Sequence, residues 1–284
     1  MEKMGSKAPP YSPVATFDTE DNTDTDKRMA TSLIGMQPIS VIIPTLNESA
    51  NIAHLLIQLD QTLMQADITY EAIVVDDHST DGTIAIAESV ARDRNLPVRV
   101  LTKQGQVGKS FSLVEGFTAA QYDVLAMIDG DLQYSAEGLL DLVRKLTHSN
   151  IVVADRRTSH ANANRLRSIL SQVFLLIIAL LFGIDADIQS GLKVFHRKVY
   201  EDVPPNPGRW SLDLHLITQA VWKGYVVTNV PVVVQQRQGG ISKVKPLTVA
   251  MELLMVALQL KMTLTLSNIA RLLRYGKMPR QRGR

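Results

Sequence analysis

ISVIIPTLNE (residues 39–48) is a β-branched run that breaks at a proline and ends on a carboxylate. The same shape returns twice. EAIVVDD (71–77) ends on Asp76-Asp77, and DVLAMIDGD (123–131) ends on Asp129-Gly130-Asp131. VRVL (98–101) and NIVVA (150–154) are two further strand-like runs. The stretches between them have helical spacing: Ile52, Leu55, Leu56, Leu59 and Leu63 recur at the i, i+3, i+4, i+7 interval of one buried helix face. Short strands alternating with helices specify an α/β fold, a mostly parallel twisted sheet flanked by helices with right-handed crossovers. Carboxylates at strand ends then gather along one sheet edge, where open α/β proteins bind ligands. The Asp-x-Asp is the most telling of them, because two carboxylates one residue apart can hold a hard divalent cation that in turn grips nucleotide phosphates.

With 284 residues and 45% apolar content, the chain can bury a full core as one globular domain with peripheral segments. The absence of cysteine excludes disulfides, thiolate metal sites and thiol nucleophiles, so any metal takes oxygen ligands. A net charge of +2, with the basic residues unevenly placed, gives no electrostatic footprint for nucleic acid. Residues 1–37 are polar, rich in Pro, Thr and Asp, lack the apolar core of a signal peptide, and read as a disordered tail. The expected division is a catalytic domain over 38–245 and a C-terminal apolar helix with a basic tail over 246–284.

Two apolar segments follow the strand–helix region. Arg165 and Arg167 precede Val173 to Ile184, twelve residues without a charged side chain. A helix needs about 20 apolar residues to span a bilayer, so the segment over 164–184 is either a core helix or a helix in the membrane interface with its arginines at the headgroups. Leu247 to Leu266 approaches spanning length but contains Glu252, Gln259 and Lys261, which favours an interfacial or partner-packed helix over a span. Beyond it, Arg271, Arg274, Lys277, Arg280, Arg282 and Arg284 form a cationic terminus suited to an anionic membrane surface.

SVIIPTLNE (40–48), VVDDHSTDGT (74–83), GKSFSLVEGF (108–117), DGDLQY (129–134), ADRR (154–157), QSGLKVF (189–195), WSLDLHL (210–216) and RQGGISK (237–243) stand in one order. In that order and spacing the chain, from about Ile39 to Lys245, resembles the family 2 glycosyltransferases of GT-A fold, in their polyprenyl-phosphate, dolichol-phosphate mannose synthase-like branch. The resemblance implies that Pro44, Leu46 and Glu48 contact a nucleotide and that Val75 and Asp77 line its base and ribose. It also implies that Asp129, Gly130 and Asp131 are the family's Asp-x-Asp, holding Mg²⁺ or Mn²⁺. Asp131 is then the direct ligand, with Asp129 bridging to ribose or metal and Gln133 a further oxygen ligand or hydrogen-bond donor. Other readings of these residues stay open: Pro44 can simply end a strand, and Asp77 can make a turn or helix cap. Leu46 replaces the aromatic residue often found there, which leaves base stacking unsupported.

By the same resemblance Arg157 stands at the family's small-x-Arg, and Arg237 and Lys243 belong to its Arg-x-x-Gly-x-Ser-Lys ending. Cations there neutralise a donor diphosphate and an acceptor phosphate, and Gly239-Gly240 lets the segment close over substrate. Gln189-Ser190-Gly191 corresponds to an acceptor-side turn. By the resemblance, His215 replaces an acid present in many relatives, two residues after Asp213, and departs there from the family's pattern. Gly105-Gln-Val-Gly108-Lys109-Ser110 looks like half a P-loop, but Lys103 occupies the place of the first glycine that a phosphate-cradling loop requires. Lys109 can therefore touch a donor phosphate or merely start a helix.

The implied reaction is inverting transfer of a hexose from a nucleotide-diphosphate sugar, GDP-mannose or a UDP-hexose, to a membrane polyprenyl phosphate. It would take place at the cytoplasmic face of a membrane, with a possible membrane partner protein at the terminal helix. The alternatives are a family 2 transferase with a hydroxyl acceptor, which needs a base such as Asp213 or His215, and a catalytically silent scaffold of the same fold.

Overall fold

The computed structural model describes residues 37–157, 165–203, 208–235 and 246–275. All of the expected tail except Gln37, together with Arg237, Gly239, Gly240, Lys243 and the terminal Lys277 to Arg284, lies outside them.

Seven strands form one sheet: β1 (Ile39–Thr45), β2 (Tyr70–Asp76), β3 (Val98–Thr102), β4 (Val124–Ile128), β5 (Ile151–Asp155), β6 (Leu192–His196) and β7 (Val227–Pro231). Their order is β3-β2-β1-β4-β6-β5-β7. The helices are α1 (Ile52–Gln65), α2 (Thr83–Asp93), α3 (Lys109–Ala119), α4 (Ala136–Leu146), α5 (Arg165–Phe182), α6 (Arg197–Asp202), α7 (Leu212–Trp222) and α8 (Pro246–Tyr275). All five strand runs read from the sequence form strands. The buried face of α1 is Ile52, Leu55, Leu56, Leu59 and Leu63, as its periodicity predicts.

β2 and β4 are buried along their whole length, because helices cover both sheet faces and a strand wet on neither side can be apolar throughout. On one face Ile42, Ile73, Val75, Leu125, Met127 and Val153 meet Leu113 and Phe117 of α3, Phe174 and Ile178 of α5, and the inner residues of α7 and α8. Gly116 lets α3 lie directly on the sheet, since a Cβ there would stand 2.4 Å from Ile42 Cγ2.

β6 is antiparallel to both β4 and β5, while every other pairing is parallel. This one reversal decides what shares the acidic edge. β1, β2, β4, β5 and β7 all run toward it, and β6 starts from it. The turn before β6 therefore lies beside the end of β4, where Asp129 N donates to Gly191 O at 3.1 Å.

α5 both contributes to the core and faces outward. Phe174 and Ile178 are buried, whereas Val173, Leu176 and Leu180 are exposed, so one face of the helix belongs to the core and the other is apolar and outward. α8 packs Leu253, Ala257 and Leu260 inward and exposes Met251, Met255, Leu258, Met262, Leu266 and Ile269. Lys261 of α8 donates to Leu181 O at the end of α5, and its ammonium lies 5.8 Å from the centre of the Phe182 ring. Among the described residues, Thr248–Ser267 is the one stretch long and apolar enough to cross a membrane, and only 17% of its most apolar window is buried.

Candidate active site

The site grows from three strand ends. After β1 the chain turns through Asn47 at φ 54°. Asn47 Oδ1 accepts from Thr80 N at 2.7 Å and Glu48 N donates to Thr83 Oγ1 at 2.8 Å, so the first two acidic loops are tied together. Glu48 is buried and accepts from Asn51 Nδ2 at 2.8 Å. Pro44 and Leu46 are half-buried along the same loop, and Val75 is fully buried opposite Pro44 in the β1–β2 register. Gly130 fits between these loops, since a Cβ on it would lie 3.2 Å from Thr45 Cγ2 and 3.6 Å from Glu48 Cγ.

Asp76 and Asp77 are internal. Asp76 is inaccessible and accepts from Ser79 N, Ser79 Oγ and Thr45 Oγ1, so it fixes the turn. Asp77 accepts from Gly108 N at 2.8 Å with one oxygen, and its other oxygen lies 2.5 Å from the ammonium of the fully buried Lys103. Lys103 also donates to Gly108 O at 3.1 Å. The lysine that spoils the P-loop pattern is thus the tie that holds the loop leading into α3.

That tie delivers Lys109, the first residue of α3, to the Asp-x-Asp. Its Nζ lies 2.5 Å from Asp129 Oδ1, and both side chains are only about a quarter exposed, at 25% and 28%. Burial disfavours the ammonium, but the Asp129 and Asp213 carboxylates outweigh it and hold the Lys109 pKa above the ordinary lysine value. The other Asp129 oxygen rests on Gly191, where a Cβ would come within 2.1 Å of it. Asp131 Oδ1 accepts from Gln133 N at 3.2 Å. Between them Leu132, buried and γ-branched, is held at φ 59°, a left-handed conformation that costs a non-glycine residue about 1 kcal/mol and recurs at functional turns. Gln133 O accepts from Gln235 N at 2.9 Å, which brings the chain after β7 to this turn, two residues before Arg237.

Beyond Asp129 the ion pairs continue inward. Lys193, on β6 and without solvent access, lies 3.0 Å from Asp213 Oδ1 on the first turn of α7 and also donates to Ser190 O. Burial lowers its pKa, and the Asp213 carboxylate opposes that shift. Tyr134 Oη accepts from Gly191 N at 3.0 Å and from Ser190 Oγ at 3.1 Å, linking the Asp-x-Asp loop to the turn before β6. Gln189 accepts from Ser171 Oγ of α5 at 3.2 Å.

The two arginines after β5 diverge. Arg156 grips the buried Asp187 in a bidentate pair at 2.6 and 2.8 Å, and its charge also acts on Tyr134 and Asp129. Arg157, the residue singled out from the sequence, is bound to Asp155 at 2.8–3.1 Å and to the exposed Asp185. Nothing in ADRR shows which of the two arginines pairs with Asp187. His215 is half-buried with Nδ1 lacking a hydrogen-bond partner, and burial lowers its pKa, so it is neutral near pH 7.

Asp129, Asp131 and Gln133 present only oxygen donors suitable for a cation. Among the described residues no three His, Cys, Asp or Glu side chains converge into a complete cage. That composition fits Mg²⁺ or Mn²⁺, which are commonly held by one or two carboxylates with substrate phosphates completing the shell, and does not fit a structural metal.

Comparison with known proteins agrees with this architecture. A dolichol-phosphate mannosyltransferase from Pyrococcus furiosus is 28% identical over 218 residues, covering 74% of this chain and 60% of the relative, so the chain spans less than two thirds of that protein. A polyprenol monophosphomannose synthase from Mycolicibacterium smegmatis is 26% identical over 214 residues, covering 72% of this chain and 79% of the relative. Both names fall in the branch that the motifs resemble. Among solved structures, glucosyl-3-phosphoglycerate synthase from Mycobacterium tuberculosis, determined with Mn²⁺, UDP and glucosyl-3-phosphoglycerate, superposes with a TM-score of 0.66 at 20% identity, covering 88% of each chain. At that identity the likeness establishes the GT-A fold alone. The sequence profile described as Glycosyl transferase family 2 matches residues 40–203, more than half of the chain. On that match, laid over a sheet edge built as the motifs require, the chain belongs to glycosyltransferase family 2.

Proposed function

We propose that the protein transfers a hexose from a nucleotide-diphosphate sugar, GDP-mannose or a UDP-hexose, to the phosphate of a membrane polyprenol, with inversion at the anomeric carbon. The observation that carries this reading is the Lys193–Asp213 pair at 3.0 Å. Asp213 is the carboxylate that the motif offers as a general base, and here it already serves as the partner of a fully buried lysine, which commits it to an internal ion pair. A hydroxyl acceptor needs that base. A phosphate monoester does not, because its second pKa is about 6 and it arrives already charged.

An acceptor phosphate oxygen attacks the anomeric carbon while the bond to the donor diphosphate breaks, and the nucleoside diphosphate leaves with the electron pair. Asp129, Asp131 and Gln133 would hold Mg²⁺ or Mn²⁺, which supplies charge compensation for the departing diphosphate. Pro44, Leu46, Glu48 and Val75 would surround the nucleotide, while Asp77, with both oxygens bonded internally, would shape that wall. Arg156 adds positive charge beside Asp129, and Arg157, Arg237 and Lys243 are assigned to the two phosphate groups by their motifs. The chain's task is alignment of two like-charged reactants, for which fixed cations and positioning suffice.

The acceptor's hydrocarbon tail stays in the bilayer, so the protein must come to it. The outward apolar residues of α5 and α8 support docking on a membrane, whose cytoplasmic face is the proposed side, and Arg165 and Arg167 are assigned to lipid phosphate and the terminal cations to anionic headgroups by their sequence. The terminal helix is also where a membrane partner protein would join. Neutralising both arginines should reduce lipid-acceptor use more than sugar-nucleotide affinity, and an equal fall in both would contradict the assignment.

The main test incubates membranes containing the protein with labelled GDP-mannose, UDP-glucose or UDP-N-acetylglucosamine and then extracts lipid. Metal-dependent label in the lipid phase from one donor is expected, and label confined to water-soluble product would refute the proposal. The half-buried, neutral His215 is the one observation that favours the hydroxyl-acceptor reading. Label in a glycan that disappears in His215→Ala would put that reading first.

A further inference from the structure

The half P-loop Gly105–Ser110 leaves one residue unexplained by its own backbone. Lys109 opens α3, where the helix dipole disfavours a cation, yet its ammonium is drawn to 2.5 Å from Asp129 Oδ1. The pair is mostly shielded from water, with side-chain exposures of 25% and 28%, so salt screens it weakly. Gly191 closes the opposite side of the carboxylate, where Asp129 Oδ2 lies 2.1 Å from the place of a Cβ. Asp129 is thus balanced by a cation belonging to the chain itself.

We propose that Lys109 is a resident counter-cation of Asp129, which makes the Asp129–Asp131 turn a poor site for a free divalent ion and admits one only together with a diphosphate. The inference rests on the reading of that turn as the metal-holding element. A bare divalent ion at Asp129 meets the ammonium as a like charge, and Lys109 gains no new anion in exchange. A nucleoside diphosphate carrying the ion brings surplus negative charge. Its oxygens take over the ammonium while Asp129 turns to the metal. Asp213 already acts on Lys109 and is itself shared with Lys193 at 3.0 Å, so the incoming diphosphate is the added anion that can release Lys109 from Asp129. Metal and nucleotide then enhance each other's binding by the same factor, as linkage requires.

The experiment measures Mn²⁺ binding to the full chain by loss of the free-ion electron paramagnetic resonance signal, alone and with UDP or GDP present. Wild-type protein should bind Mn²⁺ weakly by itself and far more tightly with one nucleoside diphosphate. Lys109→Met should bind Mn²⁺ alone about tenfold more tightly than wild type, roughly 1.4 kcal/mol, while the enhancement by nucleotide shrinks. Lys109→Gln, also neutral, should match it, and Lys109→Arg should keep wild-type coupling. Folded neutral variants that bind Mn²⁺ alone no better than wild type would overturn the proposal. Wild-type protein that takes up no Mn²⁺ with either nucleotide would overturn the metal reading, and this inference with it.

Discussion

Replacing Gly191 with alanine should separate activity from stability. The new Cβ would lie 2.1 Å from Asp129 Oδ2 and 2.4 Å from its Cγ, so the carboxylate must retreat by more than an ångström to reach ordinary contact at 3.4 Å or beyond. The clash falls on the end of a side chain, which can rotate, and Gly191 is not among the positive-φ glycines, so the backbone accepts alanine. The stability cost is then the weakening, not the loss, of the mostly shielded Lys109–Asp129 pair, about 1 kcal/mol, offset by roughly 0.4–1 kcal/mol from the stiffer unfolded chain. The catalytic cost is larger, because a displacement of about 1 Å at a charge-stabilising group lowers turnover by about 10²-fold. Initial rates of sugar transfer, read beside urea unfolding curves, provide the comparison. Gly224→Ala is the control: Gly224 has φ 92° after α7 with nothing within 4 Å of a new Cβ. It should lose about 1 kcal/mol of stability and keep its rate. A Gly191→Ala protein that turns over within about threefold of wild type would refute the idea that Asp129 must keep this position.

Asp131→Asn should lower turnover by about 10²–10³-fold and remove its manganese dependence, measured as initial rates across a Mn²⁺ titration. Lys193→Met leaves Asp213 without its ammonium in a largely buried setting and should destabilise the protein by about 3 kcal/mol in urea unfolding. His215 has a pKa below the ordinary 6.5 because of burial. Between its folded value and 6.5 the unfolded chain binds the proton and the folded chain does not, so stability is full above that window and falls as pH drops through it. His215→Gln should flatten the decline in melting temperature between about pH 7 and 5, where histidine titrates.

Local chemistry along the chain carried the fold class. Strand runs must be β-branched to fill a sheet covered on both faces, and α1 must repeat its leucines at helical spacing, so residues 39–128 could be read almost element by element. The Asp-x-Asp was equally plain, because a carboxylate pair straight after a buried strand has few other uses. The partners of those carboxylates were not legible. Asp77 looked free to face a nucleotide, but Lys103, 26 positions later, occupies it. Lys109 reaches Asp129 from a loop held at Gly108 by Lys103 and Asp77, a contact that no local pattern announces. The choice between Arg156 and Arg157 was invisible for the same reason, since it depends on where Asp187 and Asp185 lie after α5. The reversed β6 brings Gly191 against Asp129 and Lys193 beneath Asp213. Periodicity records which face of an element is buried, whereas a charge finds its partner through distances that span the whole chain and exist only once the sheet has closed.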